Sequence, residues 1–320
     1  MVTRRSLPRK IGFFVLVVAI VAFSIFPFIQ MLSISLKYPS EWGNPALIPE
    51  NFNIEAYKEL LNIGQAAKNV PQSVLTLLEE TTDLSDAQRQ AILNKYKSTG
   101  DVFPFLKYFY NSFLLSFSAA FITVVFAILG AYSFSRLRFP GRAFIQRGVL
   151  FVYMFGGILL LIPLYKMFVS IGWISVPPGA FLSLLIIYIV QTLPVSLYML
   201  GNYFRTIPFS IEEAALIEGA SRFGTVWRII IPLSFAAIVT VFIYCFMIAW
   251  NEYLFASVFL KNFKELYTLP MGLKALFTSK NAIWDRIMAA SVLTATPVII
   301  MFMAFQRNLA GGLAAGGVKE

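Results

Sequence analysis

From Met167 to Phe204 the chain reads MFVSIGWISVPPGAFLSLLIIYIVQTLPVSLYMLGNYF, without one Asp, Glu, Lys or Arg. As a single helix at 1.5 Å per residue this would be roughly 57 Å long, nearly twice the ~30 Å hydrocarbon core of a bilayer. Pro177, Pro178 and Gly179 therefore read as a break, with Ser170-Ile171-Gly172-Trp173 in a connecting segment and a span expected to begin near Phe181. Other charge-free runs extend from Ile11 to Leu36, Tyr108 to Ser135, Ile229 to Asn251 and Ile287 to Gln306, and a shorter one from Gly148 to Tyr165. Each is read as a span, which makes an all-α integral membrane protein of six transmembrane helices.

Composition agrees. Of the 320 residues 58% are hydrophobic and only 13% charged, against about 45–50% and 25% in ordinary soluble domains, and mean hydropathy is +0.73. A soluble core has no room for so much apolar surface. The single cysteine, Cys245, cannot form an internal disulfide, and there is no histidine, the commonest metal ligand and general base. Cys245 reads as a small buried residue of the fifth span, and the 32 phenylalanines read as lipid-facing rather than as a cofactor box.

Net charge is +10, from 26 basic and 16 acidic residues. With spans on alternate sides, half of the basic residues, among them Arg4, Arg5, Arg9, Lys10, Arg136, Arg138, Arg142, Arg147 and Arg205, fall in short segments on one side. That density places both termini in the cytoplasm and argues for membrane lipid rather than nucleic acid as the neighbour of the basic clusters. Lysines between Lys261 and Arg286 count against this orientation. The cationic leader before Ile11 also resembles a signal peptide, but the apolar run is long and lacks a small-residue cleavage site, which favours a retained span. The expected layout is a cytoplasmic N-terminus (1–10), a first span (11–36), an extracytoplasmic insert (37–107), a five-helix core (108–306) with a cytoplasmic loop (205–228), and a glycine-rich cytoplasmic tail (307–320).

The insert has the composition of a soluble protein. Asn53 reads as the cap of a helix carrying Ile54, Tyr57, Leu60 and Leu61 on one face, and Ser85-Asp86-Ala87-Gln88 as the capping box of a second helix ending near Gly100. Either a solvated lid or a docking surface for an external partner fits such a small helical domain.

The loop between the fourth and fifth spans is more specific. Ser210-Ile211-Glu212-Glu213 reads as a capping box, Ala214, Ala215 and Leu216 continue a short helix, and Gly219 supplies a left-handed stop. Ser221 then caps a second piece through Trp227, with Pro232 just inside the fifth span. Ala214, Ala215 and Ala220 leave a flank without bulky side chains. A passive connector does not need so rigid a helix-turn-helix.

These residues resemble the EAA loop of ATP-binding-cassette importer permeases: Glu213-Ala214-Ala215, three residues, Gly219, nine residues, Ile229, one residue, Ile231-Pro232. Ile231 stands where leucine is usual and Glu218 where aspartate is common. Asn111-Ser112, Arg136-Leu137-Arg138-Phe139-Pro140-Gly141, Trp250-Asn251-Glu252-Tyr253 and the tail Ala314 to Lys319 resemble the carbohydrate-uptake branch, in particular the MalG-like second permease of maltose-type systems. The resemblance covers all but the insert. It implies a non-catalytic subunit with a second permease, two ATP-binding subunits and an extracytoplasmic solute-binding protein as partners. It also implies that Glu213 to Gly219 form a coupling helix in a cleft of an ATP-binding subunit, with Glu213 in polar contact. Ile229 and Pro232 would anchor the loop to the fifth span, and Gly316 and Gly317 would lie in a tail reaching the nucleotide-binding dimer. The expected cofactors, ATP and Mg, sit on the partners and none on this chain.

No Gly-x-x-x-x-Gly-Lys-Ser/Thr pattern occurs, so the chain holds no phosphate loop of that kind. An intramembrane enzyme would need convergent catalytic groups, which the lack of histidine and the four cytoplasmic carboxylates, Glu212, Glu213, Glu218 and Glu320, do not provide. A self-contained secondary transporter would show internal repeats or charges within spans. A sugar, oligosaccharide, polyol or glycerol phosphate all suit the family. Gln191, Thr192, Tyr244, Asn251, Ser291 and Thr294 read either as a polar lining for the substrate path or as interhelical glue. Glu252, flanked by Trp250 and Tyr253, reads as a wet interfacial carboxylate or a functional one, and Lys166 as snorkelling from the third span. Pro27, Pro163, Pro194 and Pro297 are expected to bend their helices.

Overall fold

A computed structural model of the chain describes residues 7–63, 103–154, 157–278 and 284–317. Within these every regular element is helical: α1 (Leu7–Ser35), α2 (Glu55–Leu60), α3 (Phe105–Arg136), α4 (Arg142–Met154), α5 (Gly157–Ser170), α6 (Pro177–Thr206), α7 (Phe209–Ile217), α8 (Arg222–Leu233), α9 (Phe235–Trp250), α10 (Leu254–Phe259), α11 (Leu269–Thr278) and α12 (Trp284–Gly317). Four helices are each long and apolar enough to cross a membrane, namely α1, α3, α6 and the Trp284–Gln306 part of α12. The pair α8 and α9, bent by 82°, makes a fifth candidate. The run from Gly148 to Tyr165 is shared between α4 and α5, the latter a 14-residue apolar helix. The six expected spans are consistent with this set.

The boundaries differ from expectation where proline is concerned. The connection at Gly172 is as expected, with φ at 79° and a 3₁₀ turn at Trp173–Ser175. The next span, however, starts at Pro177 rather than near Phe181, because prolines in a first turn lack only an amide that has no helical partner anyway. Gly179 is required there, since a Cβ would collide with the Trp173 carbonyl. The fifth candidate is not one straight helix from Ile229: residues up to Leu233 form one limb, and the limb after the 82° bend begins at Phe235. The tail is not a separate element, as α12 continues unbroken through Gly317. Pro27, Pro163, Pro194 and Pro297 all lie inside helices.

The chain divides into two compact units. One comprises Met1–Leu106 and Leu273–Ala295. Here α1 carries exposed apolar side chains along its length, from Ile11 to Leu32. The insert helix α2 has Ile54 rather than Asn53 at its cap position, yet the Asn53 side chain still accepts the Glu55 amide at 2.9 Å. Asn53 also donates to Asp285 at 3.4 Å, and Arg286 pairs with Glu59, so α2 is tied to the start of α12. Burial raises the Glu59 carboxyl above the usual carboxylate range, outweighing the pull of Arg286. The expected helix from Ser85 to Gly100 lies outside the described residues.

The other unit comprises Lys107–Gly272 and Thr296–Glu320. On α3, Ser112, Ser116, Ala119, Ala120, Thr123, Ala127 and Ala131 form a buried seam of small residues, which lets neighbouring helices approach closely. Beside it Phe109, Phe113 and Phe117, four residues apart, meet Trp250, Phe246 and Phe242 of the antiparallel α9 at ring-centroid distances of 5.5, 6.1 and 5.5 Å. These rings make a helix–helix contact while Phe113 and Phe117 stay 40% and 44% exposed, and Phe121 and Phe126 on the same helix face outward, as the composition suggested. A core of Leu115, Leu184, Ile187, Tyr188, Phe255 and Phe259, among others, joins α3, α6 and α10. At the end of this core Asn111 donates to the carbonyls of Glu265 (2.8 Å) and Tyr267 (3.1 Å), and Ser112 accepts the Leu269 amide at 2.7 Å.

Asn111→Leu orphans both carbonyls and is expected to cost about 1–3 kcal/mol of stability, read as an earlier unfolding midpoint in an SDS titration. In the insert, Glu59→Gln gives up the ion pair with Arg286 but keeps the side chain's size and relieves the burial of a charge, and should be tolerated at pH 7. Arg286→Met leaves Glu59 and Asp285 without their cation and should lower the thermal midpoint further than Glu59→Gln does.

Candidate functional site

The candidate site is the loop from Arg205 to Leu233. The chain leaves α6 through Ile207 and Pro208, both extended, with ψ of 126° and 132°. Helix α7 then starts at Phe209 with Pro208 at its cap and no side-chain cap bond, so the expected Ser210 capping box does not form. Ser210 and Glu213 are both exposed. Proline before Phe209 already sets the entry angle, which places Ser210 inside the first turn.

The far end of α7 closes as the sequence predicts. Gly219 has φ 88°, its amide bonds the Leu216 carbonyl (3.1 Å), and the Ala220 amide reaches the Ala215 carbonyl (3.0 Å). This is a Schellman stop, in which two of the free carbonyls of a helix end are satisfied by a left-handed residue. Ser221 then caps α8 by accepting the Gly224 amide at 3.1 Å. Beyond Thr225 the helix loosens to a π turn over Val226–Ile230, continues through Pro232, and breaks at buried Ser234 into α9.

Two faces result. The inner face of the loop buries Glu212, Ala215, Thr225, Val226 and Ile230. The outer face exposes Glu213, Ala214, Glu218, Gly219, Leu216, Ile217 (86% exposed), Phe223 and Trp227, the last two rings 6.0 Å apart. Ala215 therefore faces inward, not along an open flank as expected, while Ala214 does face outward. Of the two anchor residues, Ile229 is half-buried and Pro232 exposed, both on the limb before the bend.

What holds the inner face down is a charge pair between Glu212 and Arg136, the last residue of α3. Arg136 Nε lies 2.6 Å from Glu212 Oε1, with the side chains only 9% and 2% exposed. The approach is not aligned along the N–H, so it is charge pairing rather than a directed hydrogen bond. Arg136 Nη2 also donates to the carbonyls of Phe204 (2.6 Å) and Ile207 (2.7 Å), its guanidinium lies over the Phe209 ring at 5.7 Å, and Tyr132 donates to Glu212 at 3.3 Å. One side chain thus joins the end of α3, the end of α6 and α7. In the sequence Arg136 was a motif residue and Glu212 a neighbour of Glu213. The available signal was an inward i, i+3 pair, Glu212 and Ala215, on a nine-residue helix.

The path candidates each have local partners. Thr192 is buried, donating to the Tyr188 carbonyl and bonding Thr123 across to α3 at 3.1 Å, which is interhelical glue. Gln191 is half-buried, with its Nε2 close enough to Gly157 that a Cβ there would be 3.2 Å away. Tyr244 bonds Tyr153, and exposed Asn251 donates to the Met247 carbonyl. Ser291 and Thr294 belong to the other unit and each donates to a carbonyl one turn earlier. Glu252 is not simply wet: half-buried, it accepts from Tyr188 (2.8 Å) and from the amides of Phe255 (2.7 Å) and Ala256 (3.0 Å), capping α10. Lys166 is exposed near the end of α5, and buried Cys245 contacts Ser196. Gly316 and Gly317 end α12. Among the described residues no group of His, Cys, Asp and Glu suits a metal ion.

Residues 123–314 match the family described as "Binding-protein-dependent transport system inner membrane component". The chain is 38% identical to the inner membrane ABC transporter permease protein YcjP of Escherichia coli (strain K12) over 100% of both chains. It is 37% identical to the trehalose/maltose transport system permease protein MalG of Thermococcus litoralis over 67% of this chain and 76% of that one. Its fold is similar to that of a chain in a crystal structure of a bacterial ABC transporter involved in the import of the acidic polysaccharide alginate. The TM-score is 0.70 at 20% identity, covering 96% of this chain and 98% of that one.

Because the Arg136–Glu212 pair is buried, Arg136→Met or Glu212→Met alone is expected to cost about 3–5 kcal/mol. The double variant Arg136→Met/Glu212→Met should cost clearly less than the two single variants together, with a coupling of about 0.5–3 kcal/mol in a double-mutant cycle of SDS unfolding. Strict additivity would show that the pair does not hold the loop.

Proposed function

From its membership of the family of binding-protein-dependent transport system inner membrane components, to which this chain belongs, we propose that it is the permease subunit through which an ATP-driven importer moves a sugar or oligosaccharide into the cell. The substrate class rests on the MalG relative, a trehalose/maltose transport system permease protein. Partners in this reading are a second permease, two ATP-binding subunits that carry ATP and Mg, and an extracytoplasmic solute-binding protein. Both termini and the loop from Arg205 to Leu233 face the cytoplasm, in keeping with the density of basic residues on that side.

The single observation that carries the mechanism is the two-faced loop: an inner face pinned through Glu212 to Arg136, and an outer face of exposed Glu213, Ile217, Phe223 and Trp227. An isolated polypeptide seldom presents so apolar a rigid surface outside the membrane unless another protein covers it. The ATP-binding subunit seats on that face, with Glu213 as the polar contact. When the ATP-binding subunits close, they move α7 as a body. The pinned inner face passes the motion to α3 and α6, and the bend at Ser234 passes it to α9, so the path between the two permeases opens to the other side. Glu212 is the buried partner in this scheme, and Glu213 the exposed one.

Two substitutions test it. Gly219→Pro cannot adopt φ 88° and loses the amide bonded to Leu216; Ala215→Trp drives a ring into the buried side of α7. Both are expected to abolish ATP-coupled uptake of radiolabelled maltodextrin or trehalose while membrane insertion and chain abundance stay near the parent level. Normal uptake by both variants would sink the coupling role. Uptake driven by a proton or sodium gradient in vesicles holding this chain alone would replace the proposal with a secondary transporter.

A further inference from the structure

After α3 the chain reverses through Arg138-Phe139-Pro140-Gly141, with Gly141 at φ 82°, and enters α4 at Arg142. This reversal, the end of α3 and the facing parts of α7 and α8 enclose a cavity of about 800 Å³ lined by Arg136, Arg138, Arg142 and Arg222. No carboxylate lines it. Glu212 compensates Arg136, but among the described residues no carboxylate lies within ion-pair distance of the other three guanidiniums. Arg142 is directed by a bond to the Leu137 carbonyl at 3.2 Å. Three uncompensated cations around one cavity repel one another, a cost that an anion between them removes.

The remaining walls decide which anion. Leu137, Phe139 and Phe209 share the cavity with the arginines. Phe139 and Arg142 also line a second hollow of about 480 Å³ along α4, beside Phe144, which is 81% exposed. Gln146 continues from there into a crevice of about 220 Å³ between α3, α4 and α6, walled mainly by Phe134, Val149, Leu150, Pro194 and Leu197, with Asn202 and Arg205 of α6 also lining it. The hollows pass from arginine-rich to largely apolar along one helix, at the end of a membrane-spanning helix. A free phosphate would use only the first of them, whereas an amphiphile uses all three.

We propose that this is a binding site for an anionic phospholipid, with its phosphate between Arg138, Arg142 and Arg222 and an acyl chain along α4. Arg222 begins α8, so the headgroup bridges the reversal after α3 to the loop, and lipid charge thereby braces the loop independently of the Arg136–Glu212 pair. Guanidiniums suit the role, since they bind phosphate oxygens in pairs and cannot be deprotonated.

Native mass spectrometry of the full-length chain in detergent tests this, with phosphatidylglycerol as probe, phosphatidylcholine as neutral control and inorganic phosphate as competitor. One phosphatidylglycerol should be retained in preference to phosphatidylcholine and resist inorganic phosphate. Arg138→Gln/Arg142→Gln should weaken its retention on the order of 30-fold. The charge-matched control Arg147→Gln/Arg228→Gln, at exposed positions outside the cavity, should retain it. If the first variant loses helix content by circular dichroism, Arg222→Gln on the opposite wall takes its place, with a weakening of about fivefold expected. Equal weakening by the control, no preference over phosphatidylcholine, or displacement by inorganic phosphate each overturns the proposal.

Discussion

Everything in the loop depends on a carboxylate that has no water. Glu212 is 2% exposed, and an ionised carboxylate in such a place survives only beside a cation with its remaining oxygens satisfied. Arg136 meets that demand, and Tyr132 adds a hydrogen bond. The same guanidinium satisfies the Ile207 carbonyl just past the end of α6 and adds a second donor to the Phe204 carbonyl, which already accepts the Ile207 amide at 3.3 Å. The short helix α7 is thereby obliged to lie across the ends of two spans. Without that constraint a nine-residue helix on two extended links would pivot, and force applied to its outer face would be lost in the links.

The route onward from the loop is also set by backbone chemistry. Pro232 removes an amide, the π turn before it widens the helix, and the axis turns by 82° at Ser234. Helix α9 then runs back along α3 with three aromatic pairs in register, and ends near Glu252, where Tyr188 of α6 and the first amides of α10 converge on one carboxylate. Interdigitated rings resist sliding because each displaced contact opens a void. The helices next to the loop are therefore suited to move as bodies, with the change concentrated at the bend.

Local signals in the sequence were legible where a single residue type has one physical use. Gly219 had to be left-handed, Ser221 had to cap, and Gly172 had to turn, because backbone dihedrals and unpaired amides impose those needs within four residues. Signals failed where two local rules competed. Ser210 and Glu213 satisfy the capping-box spacing, but with Pro208 at the cap the helix starts two residues early. The break read at Pro177 and Pro178 exists but falls just before them, at Ile171 to Val176, and the two prolines form the next first turn. Ile229 to Leu233 is as apolar as the span after it, so charge counting could not find the bend.

The sequence by itself determined that this chain is helical, lives in a membrane and carries a capped loop between its fourth and fifth apolar runs. These follow from the length of uncharged stretches and from the conformational limits of glycine and proline, properties that each segment has before it meets any other. The tertiary structure alone decided which of two adjacent glutamates is buried and that Ala215 faces inward. It also decided that Phe109, Phe113 and Phe117 on α3 pair with rings of α9, and that four arginines line one cavity. Those outcomes depend on which surfaces come together across dozens of residues. Burial changes the energy of a charge by far more than any difference between neighbouring positions in the chain.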